Sequence, residues 1–224
     1  MKKSSRCLVL FGKHPINMFL VPKGEIVSVV NWRDKPHRNQ YRRFSKVTQE
    51  LKMPHDFFLG ETLVSQAVWK EITQTNPSYF KDHTSPVENI NFMEVQTFIS
   101  RLNRLTNHNF RLPTETEWLY ACLLNYPADF TQRMDEYVWY EANSKNRTQP
   151  VGSKKAGRLQ FSDLLGNLFQ WCNAAPESPN PSNQPIYRGA CWQTQGLWVD
   201  TAYRMTVNQH FKNNTIGFRL AMDV

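Results

Sequence analysis

Several features are scarce in this sequence, and each shortage removes a class of protein. No apolar run approaches the roughly 18 residues of a helical membrane span. The run Cys7 to Phe11 is too short for a signal-peptide core and lacks a small-residue cleavage site. The four cysteines (Cys7, Cys122, Cys172 and Cys191) show no CxxC or zinc-ligand spacing. The expectation is therefore a cytoplasmic chain with reduced thiols, three of them packing groups. Nine glycines beside thirteen prolines and seven tryptophans in 224 residues argue against a regular helical bundle and for a compact, loop-rich fold. No internal repeat is present.

Acidic residues are outnumbered, 19 Asp and Glu against 27 Lys and Arg, which leaves a net charge of +8. Much of the excess is local. Arg33 to Lys46 (RDKPHRNQYRRFSK) holds six basic residues against one Asp. Such a run reads first as a solvated loop and second as a site for an anion or nucleic acid. No RNA- or DNA-binding motif accompanies it, so nucleic acid is disfavoured. With 40% hydrophobic and 13% aromatic residues the chain has the means to bury a core.

Residues 1–15 read as a basic, featureless segment. Asn17 to Val21, Glu25 to Val30 and Asp56 to Val64 read as strands, with Pro22 and Gly24 between the first two. Three helices follow. Ser65 to Gln74 places Val68, Trp69 and Ile72 inward. Asn91 and Glu94 form a capping pair ahead of a stripe of Phe92, Val95, Phe98, Ile99, Leu102 and Leu105. Thr114 and Glu117 form the S/T-x-x-E box of a helix that buries Trp118, Ala121 and Cys122. Beyond Asn125 the helical period fades, prolines punctuate short apolar runs, and Ser178 to Gln184 reads as a surface loop. The fold class is α+β.

Seven stretches then occur in order: ETLVSQAVW (from Glu61), NPSYF (from Asn76), SPVENINF (from Ser85), FRLPTETEWLYAC (from Phe110), LLGNLFQWC (from Leu164), YRGACW (from Tyr187) and NNTIGFRLA (from Asn213). Together they resemble the formylglycine-generating enzyme, or sulfatase-modifying-factor, family. Its usual wording is EVTxxQ(W/Y), NPS, PVxxVSW, RLPTEAEWEYA, GNVWEW, RGGSW and GFRxA. The resemblance spans about residues 16–224 and implies one irregular, C-type-lectin-like α+β domain after the basic segment 1–15. Within it, Arg111, Glu115 and Glu117 read as a structural cluster at a helix start. Gly166 and Asn167 read as a tight turn. Trp171, Trp192 and Phe218 read as core, and Arg219 as the partner of an internal carboxylate.

The same resemblance implies an activity that this sequence is not equipped for. The active family oxidises a sulfatase cysteine to formylglycine with copper(I) and oxygen, holding copper with a C-x4-C pair shortly after RGGSW. Here that pair is replaced by Thr194 and Val199, and copper(I) favours soft thiolates. Cys191 is the nearby thiol, with Cys172 in QWC a second, and neither restores the pair. Calcium stays open at Asn143 and Asn167, although Gln170 replaces the glutamate of the family's WEW and removes a charge. The iron-dependent sulfoxide-forming branch is set aside, because the six histidines show no HxxxH spacing. No cofactor is expected, and catalysis is disfavoured.

Three functions follow. The first is a non-catalytic domain that binds a protein or small molecule at its C-terminal surface. The variable proteins of diversity-generating retroelements use the same scaffold, with variation between RGGSW and GFR. The matching stretch is Gln193 to Ile216, and Trp198, Asp200, Tyr203, His210 and Phe211 are its candidate ligand-binding residues. The second is a formylglycine-generating-type oxidase with an altered metal site. The third is an anion or nucleic-acid binder through Arg33 to Lys46.

Overall fold

The computed structural model describes residues 5–10, 12–32, 45–174, 184–201 and 203–224. The basic stretch from Arg33 lies outside them as far as position 44, and so does the proline-rich loop from 175 to 183. Among the described residues, no helix is long and apolar enough to cross a membrane.

Fifteen elements organise the described chain: β1 (Arg6–Val9), β2 (Ile16–Val21), β3 (Gly24–Trp32), β4 (Ser45–Met53), β5 (Phe57–Gly60), α1 (Gln66–Thr73), α2 (Phe92–Thr106), β6 (Phe110–Arg111), α3 (Glu115–Asn125), α4 (Met134–Tyr137), β7 (Phe169–Cys172), β8 (Ile186–Arg188), β9 (Arg204–Thr206), β10 (Ile216–Gly217) and β11 (Ala221–Asp223). One sheet has the order β1-β2-β5-β11-β6, a second β10-β7-β8-β9, and β3 and β4 form a separate hairpin. The C-terminal strand β11 is antiparallel to both β5 and β6, so the last residues close the main sheet.

The sheet lies between two cores because successive strand side chains point to opposite faces. In β5, Phe58 enters the core shared with α1 and α2, while Phe57 and Leu59 enter the core shared with α3. A run buried on both faces is why FFLG shows no polar alternation. The first core is centred on rings: Trp69 stacks on Phe98 at 4.9 Å, and Phe98 meets Phe218 edge-on at 5.3 Å. Each such pair adds about 0.5–1.5 kcal/mol beyond the area it buries.

The capping pairs act as their spacing predicts. Glu94 N donates to Asn91 Oδ1 at 2.9 Å, and Asn91 N donates to Glu94 Oε2 at 2.7 Å. Thr114 and Glu117 repeat the exchange at α3. Asn107 ends α2 in the left-handed region, at φ 55°. Three expectations need correction. Leu105 is 60% exposed, because α2 outruns the core it packs on in its last turn. The strand read from Asp56 to Val64 stops at Gly60, after which Val64 N donates to Phe218 O and the chain turns into α1. The N-terminal segment is not featureless: β1 pairs with β2 in register Arg6 with Phe19 through Val9 with Ile16.

Candidate functional site

The second sheet forms the frame of the candidate surface, and Gln170 on β7 ties that frame to the main core. Trp118 Nε1 and Arg219 Nε both donate to Gln170 Oε1, at 3.0 and 2.7 Å. Gln170 Nε2 donates to the carbonyls of Asp163 and Leu164, each at 2.8 Å. A glutamate at this position has no N–H to give those carbonyls. Arg219 also donates to the carbonyls of Gly60 and Ser162, at 2.8 Å each. Its expected carboxylate partner is therefore replaced by neutral oxygens, and Asp163 acts on it only through its charge. Burial pulls the Arg219 guanidinium down to about 10. Carboxylate pairing falls instead to Arg111, which grips Glu117 through two bonds of 2.7 Å, and to Glu115, which receives Arg188 and Arg204.

From this frame the chain leaves at Trp192 and returns at Ile216. Trp192 N donates to Asn167 O at 2.9 Å, and its Nε1 donates to Asn214 O at 3.1 Å, so the exit is bonded to the return. Asn167 takes φ 59° and Gly166 φ 81°, the tight turn expected of them. A Cβ on Gly166 would lie 2.4 Å from Trp139 O. Trp192 itself is only half-buried, unlike Trp171 and Phe218.

Thr194 and Val199, the positions that the resemblance implies for the copper cysteines, present a hydroxyl and a hydrocarbon. Thr194 Oγ1 accepts from Cys191 N at 2.9 Å, Thr194 N donates to Cys191 O at 3.0 Å, and the Cys191 sulfur lies 3.4 Å from the hydroxyl. Val199 is buried. Burial pushes the thiols of Cys191 and Cys172 up, away from the thiolate a soft metal requires. This donor set does not fit copper(I). The two asparagines read as calcium candidates have their amide oxygens engaged, and Asn143 also lies beside the Asp135 carboxylate. Asn143 Oδ1 accepts from Tyr140 N at 3.0 Å, and Asn167 Oδ1 accepts from Gln149 N at 3.1 Å. Both amide oxygens clasp turns, with no carboxylate at position 170 to add charge.

The five candidate ligand residues fall at three places. Trp198 ends a short 3-10 turn, Gly196–Trp198, and is 39% exposed beside Leu197 at 91%. Asp200 and Tyr203 are brought together: Asp200 Oδ1 accepts from Tyr203 N at 3.2 Å. Tyr203 then stacks on Phe169 at 4.8 Å, so its ring is half-buried framework as well as surface. His210 and Phe211 lie in a tight turn closed by Asn208, which accepts from both main-chain N–H groups at 2.9 Å. His210 is exposed, and Phe211 is 39% exposed.

Sequence reasoning missed an aromatic neighbour of this surface. Phe80 meets Trp192 edge-on at 5.4 Å, Tyr79 meets Phe80 at 4.9 Å and is 70% exposed, and the Arg147 guanidinium lies 5.8 Å over Phe80. Their loop is clamped from below. Phe80 N donates to Glu88 Oε1 at 2.8 Å, Gln66 Nε2 donates to Phe80 O at 2.7 Å, and Asn89 Nδ2 donates to Pro77 O at 3.1 Å. Asn89 N also donates to Asn213 O, which joins this loop to the candidate segment. Burial raises the Glu88 carboxyl to about 7. NPSYF was legible as a family word, but nothing in it announces Trp192 as its neighbour.

Comparison with known proteins agrees with this geometry. The structure of Treponema denticola variable protein 1 superposes with a TM-score of 0.80 at 19% identity, covering 99% of this chain and 100% of that one. PvdO from Pseudomonas aeruginosa superposes at 0.75 with 16% identity and the same coverage. These likenesses establish the fold, an irregular C-type-lectin-like α+β domain. In sequence, the chain is 26% identical to "Chaperone protein LppX" of Paenibacillus barcinonensis over 66% of its own length and 73% of the relative's. It is 30% identical to "Serine/threonine-protein kinase pkn1" of Chlamydia caviae over 51% of its length, but spans only 21% of that protein. Residues 17–224 match the model of the sulfatase-modifying factor enzyme 1-like domain, and the chain belongs to that family.

Proposed function

We propose that this chain is a non-catalytic member of its family, a domain that binds a protein or small molecule through the surface built by Gln193 to Ile216. The observation that carries the reading is the donor set at the family's copper positions: Thr194 is spent on a turn with Cys191, and Val199 is a buried hydrocarbon. With no soft ligand pair the oxidation lacks its metal site, and the reading needs no cofactor. The frame explains why a binding surface can sit here. Trp192 is bonded to the return strand and Phe218 is anchored in the core, so Leu197, Trp198, His210 and Phe211 on the segment between them carry side chains outward. Trp198, His210 and Phe211 are the contacts on this reading, supported by Asp200 and Tyr203. Aromatic groups offer area at low entropic cost, and the neighbouring Asn and Gln side chains offer adjustable hydrogen bonds.

The test is direct. The protein is incubated with a CxPxR peptide, copper and oxygen, and the peptide aldehyde is sought by mass spectrometry. No turnover is expected; catalytic formation of formylglycine overturns the binding-domain reading in favour of an oxidase with an altered site.

A further inference from the structure

On another part of the molecule, where the end of β5 meets β2 and the start of α1, lies a cleft of about 170 Å³. Its walls are mixed: hydrocarbon from Leu63, Val68, Val151 and Leu220 lies beside polar residues that include His14, Thr62 and Ser65. Two polar side chains, Asn17 and Glu61, face each other across the strands that form it. Their arrangement is built rather than incidental. Asn17 Nδ2 donates to Glu61 Oε2 at 2.7 Å, and Asn17 Oδ1 accepts from Arg6 Nη2 at 2.8 Å, so the amide is held at both ends. The Glu61 main chain is fixed as well: its N–H donates to Asn17 O at 2.9 Å, and its carbonyl accepts from Ser162 N at 3.0 Å. Glu61 Oε1 has no hydrogen-bond partner among the described residues. His14, which also lines the cleft, is turned to Glu71 at 3.6 Å and does not neutralise Glu61 by direct contact.

We infer that this cleft is a binding site for a compact organic cation, a primary ammonium on a short branched or cyclic hydrocarbon, with Glu61 as its anchor. The chemistry follows from the walls and the single carboxylate. A half-buried anion with an open oxygen favours a charged N–H donor, in a setting less polar than water that strengthens the bond. The apolar half of the lining, Leu63, Val68, Val151 and Leu220, gives a hydrocarbon body a surface to pack on. Size limits that body, since a cavity of about 150 Å³ lined by hydrocarbon accommodates benzene. An anion is disfavoured by the same carboxylate that holds the amine.

The probe is 3-methylbutan-1-amine, with 3-methylbutan-1-ol and 3-methylbutanoate as neutral and anionic counterparts of the same shape. Each is titrated into the isotopically labelled protein while backbone amide shifts are followed. Binding of the amine is expected in the millimolar range, as suits a ligand of about six non-hydrogen atoms, with shifts at Asn17 and Glu61 to Val64. The alcohol is expected to bind about tenfold more weakly, since a hydrogen bond to a charged group is at stake, and the acid not measurably. Glu61→Gln should abolish the preference for the amine, and Val151→Trp should fill the cleft and block it. Thermal melts confirm that both variants fold, and the second serves if the first does not. Nα-acetyl-lysine N-methylamide identifies the source: binding at least as tight as the simple amine assigns the site to a peptide lysine, weaker binding to a free amine. Equal binding of amine and alcohol, or amine shifts that map elsewhere, would overturn the inference.

Discussion

The buried frame and the segment it carries follow different rules. In the frame, single polar side chains each commit to several partners. Gln170 alone satisfies Trp118, Arg219 and two carbonyls. Glu117 both caps α3 and holds Arg111, which in turn reaches Asp223 on the last strand. Between Trp192 and Ile216 the pattern changes. Short turns hold the backbone, through Thr194 and Asn208, while Leu197, Trp198, His210 and Phe211 face solvent. The difference teaches where this fold tolerates change: a substitution in the frame strands several partners at once, whereas one on the segment strands few.

The sharpest way to break this comparison is Gln170→Leu. It leaves Trp118 Nε1 and a buried guanidinium N–H without their acceptor, and a loss of about 3 kcal/mol or more is expected by chemical denaturation. A loss under about 1 kcal/mol would mean that the frame is not held by this side chain.

A second test concerns Glu88, which ties the frame to the Tyr79–Phe80 loop. Its folded carboxyl titrates near 7, raised from 4.5 chiefly by burial. Between those values the folded chain holds a proton that the unfolded chain has released, so the Glu88 contribution to stability falls as pH rises through that window. Glu88→Gln keeps an oxygen for Phe80 N–H without the buried charge. The variant should be more stable than the parent at pH 8, with the gap closing as pH falls toward 4.5. Denaturation midpoints across this range check it; a gap independent of pH would remove titration of Glu88 as the cause.

The smallest effects are expected on the segment. Alanine at His210 should change stability by no more than about 0.5 kcal/mol, as for exposed side chains generally, and alanine at Trp198 or Phe211, each 39% exposed, by more than that. Tyr203→Ala should cost more than any of them, because its ring stacks on Phe169 and packs against the first core. Thermal melts of the four variants give the order, and equal losses in all four would make the segment core rather than surface.

Much of the frame is legible in the order of its residues. Capping pairs act within three residues, so Asn91 with Glu94 and Thr114 with Glu117 announce their helices by spacing alone. The apolar period places Phe98 and Leu102 inward but carries Leu105 with them, since a period cannot say where the neighbouring element stops. That positions 194 and 199 carry no thiol is equally plain, being a matter of residue identity. Pairings across long separations are not legible. The sequence suggests a carboxylate beside Arg219, yet it meets Gln170 and main-chain oxygens, because only folding brings positions 60, 162 and 170 around it.

What the sequence determined by itself was therefore the set of short-range choices and the chemical inventory: helix starts, the Gly166–Asn167 turn, the family words, and Thr and Val at positions 194 and 199. Tertiary structure decided the rest. It made β1 part of a sheet by pairing it with β2, set Phe80 against Trp192, and placed Asn17 opposite Glu61 in a cleft. Local rules act through bonds between near neighbours and leave a mark in spacing. Contacts between residues tens or hundreds of positions apart arise when apolar surfaces are buried together, and no spacing records them.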